Sequence, residues 1–204
     1  MGVPVVKAVM PEVPAQVLDV RRRTGADRWD EMWEGVLHMP PMPSRRHQEL
    51  EGALERWLWT HWAQREGNRV YHQINVASPG GWPHDYRIPD LVLLTPDCFH
   101  IDRDDYFEGP PTAVVEIRSP GDETGEKLPF YARIGVPEVW IVDRDTKAPE
   151  VHVLRGRQYE KQAPAADGWL TSPATGVQLR AEPGQRLGIR MAQEPSTLKQ
   201  LPES

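Results

Sequence analysis

In a chain of 204 residues that carries 21 prolines, residues 45–65 contain none. That stretch can run as one long helix where much of the chain cannot. Ser44 precedes it as an N-cap, and Gly67-Asn68 suits its end. Leu50, Leu54, Trp57, Leu58, His61 and Trp62 recur at helical spacing, with Glu49, Glu51, Glu55 and Arg56 between them. Upstream, residues 31–39 predict a short strand or hairpin turned at Glu34-Gly35, and Pro40, Pro41 and Pro43 end it. Downstream the period changes to two. RVYHQINV (69–76) alternates like a half-buried strand, while RIPDLVLL (87–94) and AVVEIR (113–118) are short apolar strands, each with one carboxylate inside. Between these two lies a long acidic connection, 95–111, read as a solvated loop. A second helix is predicted over 123–134, with Leu128, Tyr131 and Ile134 on one face and Gly135 as its C-cap. EVWIVD (138–143) and EVHVL (150–154) follow as strands around a polar turn, with further short strands over 155–190. The sum is an α/β domain with a mixed sheet flanked by helices. Its expected limits are 31–190, after an N-terminal arm (1–30) and before a flexible tail (191–204).

Composition narrows the function. Lys plus Arg number 24 and Asp plus Glu 30, so the formal net charge is 24 − 30 = −6. This argues against coating nucleic acid or anionic membrane by bulk charge, but allows a local contact with DNA. Hydrophobic residues at 39% are enough for a core. The single cysteine, Cys98, excludes an internal disulfide framework and a cysteine-rich zinc site. No apolar run approaches the roughly 20 residues that cross a bilayer, and the N-terminus is a poor signal peptide. A cytoplasmic protein without a membrane partner is expected. The sequence holds no H-E-x-x-H, paired C-x-x-C, G-x-S-x-G or G-x-G-x-x-G motif. GDETGEK (121–127) resembles a phosphate loop only superficially, since its spacing is wrong and its acids would repel phosphate.

What remains is the pair of carboxylates, Asp90 and Glu116, each inside an apolar strand. Burying a carboxylate costs several kcal/mol unless it is paired, hydrogen-bonded or metal-bound. By alternation Ile88, Asp90 and Val92 share one face, as do Val114, Glu116 and Arg118. If the strands are neighbours, both acids point into one site, where they repel unless a cation joins them. That cation is either a hard divalent ion or a side chain such as Arg118 or Lys127. On spacing alone the two stand about even.

Pro89-Asp90 followed by Glu116-Ile117-Arg118 resembles the PD-(D/E)xK nuclease signature. The wider ordered set, RIPDLVLL, VVEIRSP, GEKLPFYARIGVPEVWIVD and EVHVL, resembles the Uma-two family of restriction endonucleases over roughly residues 85–155. The resemblance implies a restriction-endonuclease-like fold and metal-dependent hydrolysis of DNA phosphodiester bonds. It implies that Asp90 and Glu116 bind magnesium (or manganese), with the Ile117 carbonyl as a further ligand. Lys127 matches the family lysine, moved from the strand onto the following helix. There it would orient or deprotonate water, or stabilise charge at the phosphate. Arg118 stands where the general signature has its lysine; it can bind phosphate but is a poor base. An acid from the first long helix often joins such sites, Glu51 being the first candidate and Glu49 the second. Cutting both strands with one site per chain would favour a symmetric homodimer. The alternative is a non-catalytic nucleic-acid or protein binding module, its carboxylates salt-bridged to Arg118 and Lys127.

Other features read as structural. Trp57 and Trp62 lie near the apolar stripe and belong to the core. Arg21-Arg22-Arg23 and Arg45-Arg46 are short charge runs on a solvated surface. Tyr131 packs its helix. The seven histidines show no helical metal-ligand pair and read as surface or hydrogen-bonded core residues.

Overall fold

The structure, a computed structural model, describes residues 13–64 and 67–203. Three helices frame it: α1 (Ala15–Thr24), α2 (Arg45–Leu58), extended by a π-turn over Trp59–Ala63, and α3 (Thr124–Ile134). Ser44 caps α2 by accepting the His47 N–H at 3.3 Å, and Gly135 closes α3 in the left-handed region at φ 86°. Within the expected N-terminal arm, α1 buries none of its residues, and residues 1–12 lie outside the described part.

The hairpin expected near the N-terminus is β1 (Glu31–Trp33) and β2 (Val36–His38). Its turn puts both Glu34 and Gly35 at positive φ, 51° and 86°, the geometry of a tight two-residue hairpin. The next strands are β3 (Arg69–His72), β4 (Asn75–Ala77), β5 (Tyr86–Arg87), β6 (Leu91–Leu94), β7 (Tyr106–Glu108) and β8 (Ala113–Arg118). After α3 come β9 (Glu138–Asp143), β10 (Pro149–Arg155) and β11 (Gln158–Lys161). The chain then adds β12 (Leu170–Thr171), β13 (Val177–Glu182), β14 (Arg186–Met191) and β15 (Glu194–Leu201).

A six-stranded sheet, in the order β11-β10-β9-β8-β6-β3, forms the centre. It is mixed: β8 and β9 run parallel with α3 as the crossover, and the other pairs are antiparallel. Alternation divides its side chains. Leu91, Leu93, Val115 and Ile117 pack against Leu50, Leu54 and Trp57 of α2, and onward to Leu179 and Ile189 of the four-stranded sheet β12-β13-β14-β15. Val92, Leu94, Val114 and Ile141 pack against Phe130, Tyr131 and Ile134 of α3, joined by Val76 and Phe107 of the five-stranded sheet β2-β1-β5-β4-β7. Each fully buried Leu, Ile or Phe contributes about 1.5–3 kcal/mol. The central sheet is therefore covered on both faces, as its near-continuous apolar strands require.

Four expectations change. RVYHQINV is two strands in two sheets, broken at Gln73, whose φ is 46°. RIPDLVLL is likewise broken between Arg87 and Leu91, so Asp90 sits just before β6 rather than inside it. The acidic connection is not simply a solvated loop. It forms a 3-10 helix (Pro96–Ile101), which buries Ile101, and β7, which buries Phe107 and pairs with β4. The tail expected to be flexible after Met191 is β15, which pairs with β14 and buries Leu201.

Candidate active site

Asp90 and Glu116 meet at one end of the central sheet. The β6–β8 register pairs Leu91 with Val115, so its continuation sets Asp90 opposite Glu116. Glu116 obeys the alternation of β8 and faces α3. Its Oε1 accepts from the Tyr131 hydroxyl at 2.6 Å, and its Oε2 lies 3.2 Å from Lys127 Nζ. Asp90 departs from the predicted shared face. It lies outside the ladder, after Pro89, and turns towards α2. Its Oδ1 is 2.8 Å from His47 Nε2, and its Oδ2 accepts the Ile117 N–H at 2.6 Å. The two acids thus sit side by side at the strand ends, one served by each helix.

On the α2 side, His47 and Glu51 are four residues apart and lie on one helical face. Glu51 is 1% exposed and accepts from Gln73 Nε2 at 3.0 Å; His72 Nδ1 lies 3.3 Å from its Oε1. The left-handed kink at Gln73 is fixed on both sides. Its backbone N–H donates to the Asp90 carbonyl, and its side-chain oxygen accepts from Trp29 Nε1 at 3.0 Å. Ligand atoms of His47, Glu51 and Asp90 all lie within 4.8 Å of one another. Two carboxylates and an imidazole that close fit a divalent cation. Carboxylate oxygens suit magnesium, and the imidazole is a better partner for manganese.

On the α3 side, Lys127 lies in the first turns of the helix and folds back to the sheet end. Its ammonium is 3.2 Å from Glu116 Oε2, 3.1 Å from the Ile88 carbonyl and 2.8 Å from Glu31 Oε1. Arg118 is not brought to the carboxylates. It pairs across the sheet with Glu150 at 3.3 Å and Asp143 at 3.8 Å. Glu49, the second helix candidate, pairs at 3.0 Å with Arg45 on the outer side of α2.

The electrostatics of the cluster are unbalanced. Burial pushes Glu51 up to about 8, with the Asp90 charge adding and the Gln73 hydrogen bond opposing. Burial also pushes Glu116 up to about 8; Lys127 pulls it back, while Asp90 and Glu31 add to the rise. His47 is raised as well: burial works against its charge, but the Asp90 hydrogen bond and the surrounding carboxylates outweigh it. Lys127 is raised because Glu116 and Glu31 outweigh its burial. Among the described residues, the acids Glu31, Glu51, Asp90 and Glu116 are met by the Lys127 ammonium and the imidazoles of His47 and His72, and Glu31 also lies in the field of the Arg87 guanidinium. The cluster is short of positive charge, and the shortage is greatest on the α2 side.

Sequence reasoning did not bring three residues to this site that the structure places there. His47 was legible, because a polar residue at the i−4 position to Glu51 on an apolar helix face needs a partner. Tyr131 does pack its helix, fully buried, but its hydroxyl also holds Glu116. Glu31 carried no signal of a role here, since its strand is three residues long and its partners at the site, Ile88 and Lys127, are 57 and 96 positions away.

A family model described as "Uma2: Putative restriction endonuclease" matches residues 18–183. The chain belongs to the Uma2 family. Similarity to a solved structure agrees on the fold. The crystal structure of a "putative nuclease belonging to DUF820" from Anabaena variabilis ATCC 29413 matches with a TM-score of 0.55 and 16% identity, over 71% of this chain and 82% of that one. No curated protein matches the chain. The fold is thus the mixed, restriction-endonuclease-like α/β architecture expected from the sequence, and Uma2 membership supports nuclease function in general terms. Among the described residues, no helix is long and apolar enough to cross a membrane.

Proposed function

We propose that this Uma2 protein is a divalent-metal-dependent endonuclease that hydrolyses DNA phosphodiester bonds. The observation that carries the reading is the convergence of Glu51, Asp90 and Glu116 at one sheet end with too few cations to balance them. Asp90, Glu116 and the Ile117 carbonyl would hold magnesium or manganese, with Glu51 and His47 completing the α2 side. The bound ion supplies positive charge for the phosphate oxygens and acidifies the attacking water.

The chain's own residues do the rest. The Ile117 N–H fixes the Asp90 carboxylate in orientation, and Tyr131 does the same for Glu116. Lys127 is a permanent cation, because its neighbours raise its proton affinity. It therefore stabilises charge developing on the phosphate rather than taking a proton from water. Asp90, His47 and Lys127 have side chains 13%, 11% and 13% exposed, so the site is mostly buried and meets solvent through these three residues. Cutting both strands would call for a homodimer with two such sites.

Adding magnesium or manganese to the metal-free protein is expected to raise its melting temperature. At 100 times the dissociation constant the gain is about 2.7 kcal/mol. The same ions should support DNA cleavage. No cleavage of single-stranded, double-stranded or branched DNA with either metal would refute the reading. One observation favours the non-catalytic alternative: Lys127 lies 3.2 Å from Glu116 Oε2, so the chain itself offers this carboxylate a cation. A melting temperature indifferent to divalent ions would select that alternative.

A further inference from the structure

The ammonium of Lys127 has three protons and three acceptors, and the shortest contact is with Glu31, a residue of another sheet. A lysine side chain is long and mobile, with about 2 kcal/mol of rotamer entropy, so something must hold its head group in place. Glu116 alone would not. Left to Glu116, the ammonium could settle directly on the carboxylates that a metal must reach.

Glu31 is itself immobile. It is 3% exposed, its Oε1 also accepts the Ile88 N–H at 2.8 Å, and its Oε2 accepts from Trp33 Nε1 at 2.6 Å. Ile88 gives its N–H to Glu31 and its carbonyl to Lys127, so the three groups close a ring. That ring does two things at once. It draws Lys127 to the Glu31 side of Glu116. It also pins the irregular segment 88–90, which lies between β5 and β6 and leads straight into Asp90.

We propose that Glu31 is a positioning residue of the active site: from the N-terminal hairpin it holds the Lys127 ammonium and the Ile88 backbone in place beside Glu116 and Asp90. The inference rests on the nuclease reading above and deepens it. It makes the β1–β2 hairpin part of the catalytic apparatus, although the hairpin supplies no ligand and no group that touches the substrate.

A double-mutant cycle between Glu31→Gln and Lys127→Met tests it, with Lys127→Gln as the second background should Lys127→Met fail to fold. In the parent, Glu31→Gln is expected to lower kcat about 100-fold, as a displaced catalytic group does, while KM for DNA moves less than about threefold. In the Lys127→Met background the same change should alter kcat by less than about twofold, because the residue it acts through is gone. The metal-free melting temperature should repeat the pattern: a loss from Glu31→Gln in the parent that shrinks or vanishes without Lys127. A purely structural Glu31 would lower melting equally in both backgrounds and leave kcat of the folded enzyme unchanged, and that overturns the proposal. Effects on kcat that multiply also overturn it. A parent that cuts no DNA refutes the nuclease reading instead, and the melting cycle then decides by itself whether Glu31 holds Lys127.

Discussion

The two halves of the site solve the same problem in different ways. On the α3 side, Glu116 is buried with its cation supplied: Lys127 and the Tyr131 hydroxyl occupy its two oxygens. On the α2 side, among the described residues, Glu51 and Asp90 are met by two histidines, an amide from Gln73 and a backbone N–H. Histidine is a weak permanent counter-charge near neutral pH, because its charge depends on the proton it holds. One half has a lysine of the chain at hand, and the other is where the proposed cation would supply most of the missing charge. Burial alone does not mark a metal site, since Glu116 and Glu51 are both buried. What marks it is a buried acid without a fixed positive partner.

The largest effect should come from removing the acid that links the halves. Asp90→Ala is expected to abolish cleavage, with a loss of about 1,000-fold or more, equivalent to several kcal/mol of transition-state stabilisation. It should also remove most of the metal-induced rise in melting temperature. A variant that cuts DNA as well as the parent would show that the α2 half is not where the cation acts.

Next comes Tyr131→Phe, which keeps the ring but leaves Glu116 without its hydroxyl donor. We expect a loss of about 1–3 kcal/mol of stability, with a smaller loss of metal-induced stabilisation than Asp90→Ala causes, because Glu116 keeps its place in the site but loses the group that orients it. An equal loss of metal response would mean that the halves are not separable.

A smaller effect, opposite in sign, is expected at Glu51. Its folded value of about 8 lies above the ordinary 4.5, as does that of Glu116. Between those values the folded state binds more protons than the unfolded one, so stability falls as pH rises. The contribution is whole below about pH 4.5 and lost towards pH 8. The raised His47 acts with the same sign. The metal-free protein should therefore melt several degrees lower at pH 8 than at pH 5. Glu51→Gln should flatten that slope and stabilise the metal-free protein at pH 8 by about 1 kcal/mol, while weakening its response to metal. A slope unchanged by Glu51→Gln would place the uncompensated charge elsewhere. The smallest effect is reserved for Glu49→Ala, on the outer side of α2, where loss of an exposed pair with Arg45 should cost less than about 0.5 kcal/mol and leave cleavage intact.

Much of the fold follows from local pattern. A proline-free run with apolar residues at helical spacing became α2, and Glu34-Gly35 became a hairpin turn. Alternation put Glu116 on one face with Val114, a face that the structure turns to the second helix. It failed for Asp90 and across residues 69–76 for one reason. Side-chain period assumes an unbroken ladder, and here the backbone leaves the ladder at Pro89 and at Gln73. Gln73 keeps its left-handed conformation because Glu51, Trp29 and the Asp90 carbonyl all bind it, and none of those contacts is local. The acidic 97–108 segment misled in the opposite way: its charges stay on the surface, but Ile101 and Phe107 anchor it in the core.

By itself, then, the sequence determined helices α2 and α3, the mixed α/β class and the family, and it singled out Asp90 and Glu116 as acids in need of a partner, because spacing dictates which face a residue occupies and burial dictates which acids need a partner. Only the tertiary structure decided who the partners are. It sent Lys127 to Glu116 and Glu31, gave Arg118 to Glu150 and Asp143, and left Glu51 and Asp90 with histidines. Those choices join residues up to 96 positions apart through a ring of hydrogen bonds at the meeting of two sheets and two helices. Local periodicity sets a side chain's direction; which charge it finds there depends on how separate elements pack.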